Sequence, residues 1–236
     1  MNIVITGASK GIGYQTALHL AGEGHSVIAL SRSRIGLEKL QVESGSDALR
    51  LLPVDLADDA DAEEAAHRIA QWFDRVDVVI HHAGLLVSKP YTELRTSDWR
   101  KVYEVNVFSV FNLNRLLYPL LQKGRVGGDV KAHVVHITSM GGVQGSVKFA
   151  GLSAYSSSKG ALITMTECLA EEWKEEGVRV NAIALGSVNT EMFAEAFPGM
   201  KAGAGPREVG RWIGEFATAG FGLFNGKVLQ MSASTP

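Results

Sequence analysis

The sequence predicts an α/β protein, a doubly wound parallel sheet of about seven strands with helices on both faces. Three observations carry that expectation. Apolar, β-branched runs alternate with longer stretches of helical spacing along the whole chain. The first run, Ile3-Val4-Ile5, leads directly into the glycine turn Thr6-Gly7-Ala8-Ser9-Lys10-Gly11-Ile12-Gly13. The 236 residues, 46% hydrophobic and 20% charged, are enough for one large core and argue against disorder.

Strands are expected at residues 3–6, 26–30, 51–54, 76–80, 133–137, 178–184 and 226–231. Between them, helical spacing marks 12–22, 59–73, 97–121, 154–175 and 206–217. Near-continuous apolar strands suit a sheet covered on both faces. No repeat, linker or low-complexity block interrupts the alternation, so residues 1–236 read as one domain. The least regular segment, 186–206, sets Gly199, Gly203 and Gly205 between apolar patches and is expected to form a mobile flap. Met192, Phe193, Phe197 and Met200 would give it an apolar cover, with plain packing on the core as the alternative.

Composition narrows the partners. A net charge of −2 gives no reason to expect nucleic acid binding. Cys168 is the only cysteine, so no intrachain disulfide forms and a reducing compartment is permitted. No apolar run is long enough to span a membrane. A first strand starting at Asn2 leaves no room for a signal peptide, which makes the cytoplasm the expected location.

Two constellations carry chemistry. In the glycine turn, backbone N–H groups and the positive end of the following helix converge where a pyrophosphate can lie. Gly7, Gly11 and Gly13 stand where side chains would block the phosphates or the helix–strand packing. The spacing G-x-x-x-G-x-G departs from G-x-G-x-x-G, and an ordinary strand-to-helix turn is the bland alternative. Tyr155 and Lys159 lie four residues apart on an expected helix, so phenol and ammonium share a face. A lysine beside a tyrosine stabilises the phenolate, lowering a pKa ordinarily about 10. A tyrosine tuned in this way exchanges a proton with a carbonyl or alcohol oxygen near neutral pH.

Together with Asn106 and Ser139, these residues make the chain resemble the short-chain dehydrogenase/reductase family over nearly its whole length. The resemblance implies a Rossmann-type fold, a nicotinamide cofactor and a small carbonyl or alcohol substrate. It implies that Tyr155 is the general acid/base and that Lys159 lowers its pKa and binds the nicotinamide ribose. Ser139, at the end of Val134-Val135-His136-Ile137-Thr138, would hold the substrate oxygen. Thr138 is its rival, but the Ser-x-x-Gly pattern through Gly142 fits Ser139 better. Asn106 would interrupt its helix and hold a water for proton relay through Lys159; an exposed polar residue is the dull alternative.

The same resemblance assigns Gly7, Ser9, Lys10, Gly11, Ile12 and Gly13 to the cofactor phosphates. Ala83 and Gly84 would lie against the adenosine ribose, Asp55 and Leu56 against the adenine, and Val188 and Thr190 against the nicotinamide carboxamide. An aspartate capping its own turn is a fair rival for Asp55. Enzymes of the family that take NAD usually carry an acid after the second strand; this chain reads Leu30-Ser31-Arg32-Ser33-Arg34. Arg32 could pair with a 2′-phosphate through two parallel hydrogen bonds, with Lys10 approaching from the other side, so NADP(H) is expected. Plain surface cations are the alternative.

Some positions depart from the family. His82 replaces a bracing asparagine, Leu185 a proline, and the tail Val228-Leu229-Gln230-Met231-Ser232-Ala233 lacks Asp-Gly-Gly. The interval from Ser139 to Tyr155 is longer than is common, the extra length falling within 145–152, a change that surface loops absorb cheaply. His81, His82, His133 and His136 lack short ligand spacing, so they read as hydrogen-bonded sheet residues and no metal is expected. A homodimer or homotetramer is implied through the helices holding Asn106 and Tyr155. Two rival functions are a non-catalytic NADP-binding sensor or scaffold on the same fold, and an NAD-dependent enzyme working in the oxidising direction.

Overall fold

The computed structural model describes residues 1–232, so Ala233 of the tail lies outside the described residues. Seven strands appear among them: β1 (Asn2–Thr6), β2 (Ser26–Ser31), β3 (Leu49–Pro53), β4 (Val78–His81), β5 (Ala132–Ser139), β6 (Val178–Leu185) and β7 (Val228–Met231). They form one sheet in the order β3-β2-β1-β4-β5-β6-β7, every pair parallel. The order reverses between β1 and β4, and such a reversal opens a crevice beyond the carboxyl ends of the strands.

The helices are α1 (Gly11–Gly22), α2 (Arg34–Ser44), α3 (Asp59–Trp72), α4 (Thr96–Tyr103), α5 (Ser109–Leu121), α6 (Ser153–Glu172), α7 (Glu191–Ala196) and α8 (Pro206–Ala219). Period-two alternation divides each strand between two cores. Ile3 and Ile5 face Ala17 and Leu20 of α1, Leu37 and Leu40 of α2, and Ile213 of α8. Val4 faces the opposite way, towards Ile69 of α3 and Leu113 and Leu117 of α5. Each such side chain, fully buried, contributes roughly 1.5–3 kcal/mol.

Three segments differ from the sequence expectation. The helix expected over 97–121 is split by a π-helical stretch, Glu104–Phe108, in which the Ser109 amide bonds back to the Glu104 carbonyl. This is the interruption anticipated at Asn106, and such bulges recur at functional sites. Periodicity did not mark α2, because only Leu37 and Leu40 of its eleven residues are buried. The segment 186–206 is more regular than its glycines suggest. It contains α7, capped by the Thr190 hydroxyl, which accepts from the Phe193 amide at 3.2 Å. Val188 pairs with Ala204 in a parallel bridge. The Asn189 amide group donates to the Ala202 carbonyl and accepts from its N–H, both at 2.7 Å, so the ends of the segment are tied together.

Candidate active site

The crevice holds a cavity of about 710 Å³, lined by the glycine turn, the ends of β2, β3 and β5, α6 and α7. On the β1 side, the Thr6 hydroxyl accepts from the amides of His82 and Ala83 at 3.1 and 3.0 Å, fixing the loop after β4 against the turn. Gly7 adopts φ +71°, and a Cβ there would sit 2.8 Å from the Ala83 backbone. A Cβ on Gly13 would fall 2.5 Å from the Gly7 carbonyl oxygen and 2.7 Å from His82 Nδ1. The turn is therefore a cradle that side chains would fill. Whereas α2, α3 and α7 are capped by Ser33, Asp58 and Thr190, the N-cap of α1, Lys10, makes no side-chain cap bond. The first amides of α1 lie at the cavity and fit an anionic phosphate.

The groups expected to read the ribose lie at the same end. Ser31 donates to Ser9 at 2.7 Å, tying β2 to the turn. Arg32 is 61% exposed and lies 3.9 Å from Asp55. Asp55 also behaves as its rival reading foresaw: one carboxylate oxygen accepts from the Ala57 amide at 3.2 Å, closing the turn after β3. Leu56, Ala83, Gly84, Val188 and Thr190 all line the cavity with them. Lys10 departs from expectation. Its ammonium contacts Glu191 of α7 at 2.7 Å, and the hydrogen bond to that carboxylate raises its pKa. Glu191, which the sequence reading did not single out, is the nearer opposite charge.

Ser139, Tyr155 and Lys159 come together at the end of β5 and the first turns of α6. Ser139 faces the Tyr155 phenol closely enough to pull its pKa down, and its hydroxyl accepts from the Gly141 amide at 3.2 Å. Lys159 is buried, donates to the Ile137 carbonyl at 2.9 Å, and lies over the Tyr155 ring, 5.8 Å from its centroid. The expected depression of the Tyr155 pKa is not seen: burial pushes it up to about 12, against the smaller downward pull of Ser139. The reason is geometric, since the ammonium covers the ring face and burial also pushes Lys159 down, to about 8. Gly142 allows the approach, because a Cβ there would meet the Gly160 amide nitrogen and the Lys159 carbonyl carbon at 2.7 Å.

Asn106 is completely buried. Its side-chain oxygen accepts from the Leu85 amide at 2.7 Å, and its amide group donates to the Leu85 carbonyl and the Ser158 hydroxyl, both at 2.9 Å. The dull reading of an exposed polar residue is thus wrong. The side chain fixes the loop after Gly84 against α6, and these bonds leave the expected water relay to other atoms of Asn106.

Beneath the site lies a network that sequence reasoning only half saw. His81 Nε2 donates to the Asn114 side-chain oxygen at 2.8 Å, and the Asn114 amide group donates to His136 Nε2 at 3.1 Å. His136 Nδ1 donates to the Thr166 hydroxyl at 2.8 Å, which donates to the Leu162 carbonyl at 2.7 Å. Every direction follows from the carbonyl at the end and the two faces of the amide, and it requires His136, whose Nε2 accepts, to be neutral. Burial enforces this: His81 is pushed down to about 4 and His136 well below its ordinary value, with His81 and Lys159 as further causes. His133 is held likewise, between the Ala217 carbonyl and the Asn181 amide group at 2.9 and 3.0 Å. His82, also lowered to about 4 by burial and then by Lys159, packs on Gly13, and its ring interacts with the Gly7 backbone, which ties the loop after β4 to the glycine turn. The histidines are the hydrogen-bonded residues expected; the signal for Asn114 and Thr166 was only that each is polar within an apolar helix face.

An aromatic cover closes the far side. Phe149, from the lengthened loop before α6, meets Phe197 edge-on at 5.2 Å, and Phe197 meets Phe193 of α7 at the same distance. No helix among the described residues is long and apolar enough to cross a membrane.

Comparison with known proteins agrees with this architecture. The family model for short chain dehydrogenase matches residues 1–201. The 3-oxoacyl-[acyl-carrier-protein] reductase FabG of Thermotoga maritima is 32% identical over 191 residues, covering 80% of this chain and 74% of that protein. The uncharacterized oxidoreductase YciK of Escherichia coli is 35% identical over 202 residues, covering 83% and 77%. Among solved structures, the RhlG/NADP active-site complex of Pseudomonas aeruginosa superposes with a TM-score of 0.88 at 26% identity, covering 99% of this chain and 95% of that one. With its parallel sheet, its glycine cradle and its serine, tyrosine and lysine in one cavity, this chain belongs to the short-chain dehydrogenase family and is an oxidoreductase.

Proposed function

We propose that the enzyme is an NADP(H)-dependent reductase of a small carbonyl compound, with Tyr155 as its proton donor. The observation that carries the reading is the convergence of Ser139, Tyr155 and Lys159 in the cavity that also contains the glycine cradle and Arg32. When bound, the nicotinamide supplies hydride from its C4 to the carbonyl carbon and is left oxidised. Tyr155 gives its hydroxyl proton to the carbonyl oxygen, so that C=O becomes CH–OH, and the phenolate regains a proton from solvent. Ser139 donates a hydrogen bond to the oxygen as charge develops there. Lys159 holds positive charge beside the phenolate that forms, which favours it.

A phenol pushed up to about 12 is protonated throughout the neutral range, which suits reduction better than oxidation. The NADP preference rests on Arg32, which faces the cavity where NAD enzymes of the family place an acid. The NADP complex of the Pseudomonas aeruginosa relative agrees with it. Gly7, Ser9, Lys10, Gly11, Ile12 and Gly13 would hold the phosphates. Asp55, Leu56, Ala83 and Gly84 would hold the adenosine, and Val188 and Thr190 the nicotinamide. A homodimer or homotetramer through α5 and α6 is supported by Phe108, just before α5, and Phe111 in its first turn, both half exposed.

The test is NADPH consumption across a panel of aldehydes, ketones and diketones, comparing wild type with Tyr155→Phe. Turnover is expected to fall at least about a hundredfold in the variant while NADPH still binds. Full activity in the variant would overturn the assignment. Silence in both proteins, with NADPH bound, would favour a non-catalytic binding protein.

A further inference from the structure

We infer that Phe149 and Phe197 form an aromatic clasp that selects a neutral, apolar ketone, an inference that rests on the carbonyl reductase reading above. The two rings come from parts of the chain that are far apart in sequence. Phe149 belongs to the lengthened loop between β5 and α6, and Phe197 directly follows α7. They meet edge-on, with centroids 5.2 Å apart and planes at 68°. This is a favourable aromatic geometry that holds two otherwise separate covers together.

The chemistry of the walls sets the ligand class. Val147, Phe149, Leu152, Met192, Phe193 and Phe197 give the cavity an apolar wall. Apart from Lys159, the charged residues lining the cavity are Lys10, Arg32, Asp55 and Glu191. These pair off as Lys10 with Glu191 and Arg32 with Asp55. Apart from Lys159, each cation among the described lining residues already faces a carboxylate, so the apolar wall offers a substrate carboxylate or phosphate no free partner. A charged substrate would lose its hydration there without a partner, whereas an apolar one gains by burial.

Exposure points the same way. Phe149 remains 48% exposed and Val147 56% exposed, although both line the cavity. Apolar surface left open around a concave site marks a place for an apolar ligand. The loop that presents Phe149 is held in shape, since Lys148 folds back on the Val143 and Ser146 carbonyls and the Ser146 hydroxyl reaches the Met140 carbonyl. Phe149 also stands on the wall of a second cavity of about 720 Å³, beside Pro90 and Tyr91. Removing the ring would join the two spaces and admit a bulkier ketone.

The experiment compares wild type with Phe149→Ala and with the milder Phe197→Leu on 2-octanone, acetophenone and acetoacetate as the charged control. Wild type is expected to favour 2-octanone over acetoacetate in kcat/KM, and each variant to cut that ratio, Phe149→Ala by about tenfold. Phe149→Ala should raise the relative rate on acetophenone, with NADPH affinity unchanged by fluorescence titration. An unchanged ratio, or a wild-type preference for acetoacetate, would overturn the clasp. If no ketone is turned over, the reductase reading fails separately, and titration of 2-octanone into the NADPH complex then decides. Binding weakened by Phe149→Ala upholds the apolar site; absence of binding overturns it.

Discussion

Asn114→Leu tests whether the buried network is what supports the active-site floor. Leucine has the same branched heavy-atom skeleton as asparagine, so the change removes the hydrogen bonds while keeping the shape, and any overpacking by the larger methyls adds to the loss. Two would be lost, the 2.8 Å bond from His81 Nε2 and the 3.1 Å bond to His136 Nε2. Asn114 is 2% exposed, His81 2% and His136 completely buried, so water has no access to replace them. A donor on His81 and an acceptor on His136 would then be buried without partners. At about 1–3 kcal/mol each, the loss is roughly 2–6 kcal/mol. For a domain of this size each kcal/mol lowers Tm by about 2–4 °C, so a fall of at least about 4 °C is expected in a thermal melt. Asn114→Asp would not rescue it, since a buried carboxylate could accept from His81 but could not donate to His136. A melt within about 1 °C of wild type for Asn114→Leu would refute the reasoning, because it would mean that the imidazoles find other partners.

Three further outcomes are expected. Arg32→Asp should weaken NADPH binding about tenfold or more while leaving NADH nearly unchanged, measured by fluorescence titration; equal effects on both would remove Arg32 from 2′-phosphate recognition. Glu191→Gln should release Lys10 towards the cofactor and tighten NADPH severalfold at low salt, with the gain shrinking as salt rises, because the pair is exposed; tightening that is indifferent to salt would contradict it. Acid stability should follow the histidines: His81 and His133 titrate at about 4 when folded and near 6.5 when unfolded. Between those values the unfolded chain binds more protons, so stability present above about pH 6.5 is lost as pH falls towards 4. Asp98 and Glu191 are lowered from ordinary values of 3.8 and 4.5, already below pH 5, so they add nothing between pH 7 and 5, and a Tm that is flat over that range would refute the neutral-histidine network.

Much of this fold is legible because a parallel sheet covered on both faces leaves a simple trace. All seven strands stand where apolar β-branched runs occur, and the glycine turn marks the switch from β1 to α1. What escaped has physical causes. The helix α2 buries only Leu37 and Leu40 and carries its remaining surface to solvent, so its period was faint. The helix α7 is six residues long and held at its N-terminus by the Thr190 hydroxyl, a signal lost among nearby glycines. Within the site, Tyr155, Lys159 and Ser139 were legible because their chemistry requires particular residue types at particular spacings. Asn114, Thr166 and Glu191 were not, because their importance arises only when distant elements meet. His136 and His81 are 55 positions apart in sequence yet share one amide.

The Tyr155–Lys159 pair shows why spacing alone does not set a proton's energy. Four residues along α6 bring the two side chains to one face, as the sequence implies, but the ammonium comes to rest over the ring, where it stabilises the aromatic face more than the oxygen. Burial then acts on both partners and drives each towards its neutral form, raising the phenol and lowering the amine. The pair is thus arranged as a reservoir holding its proton on the phenol, with the Ile137 carbonyl fixing the amine and Ser139 facing the hydroxyl. In the proposed reduction, a substrate oxygen gathering negative charge would make the phenol a donor, and Lys159 would become valuable once the phenolate exists. On the proposed reading, the bias towards reduction would come from the desolvation of α6 against β5. The lysine's task in that proposal is to limit the cost of the phenolate, and the neutral histidines beneath it keep that corner free of a competing positive charge.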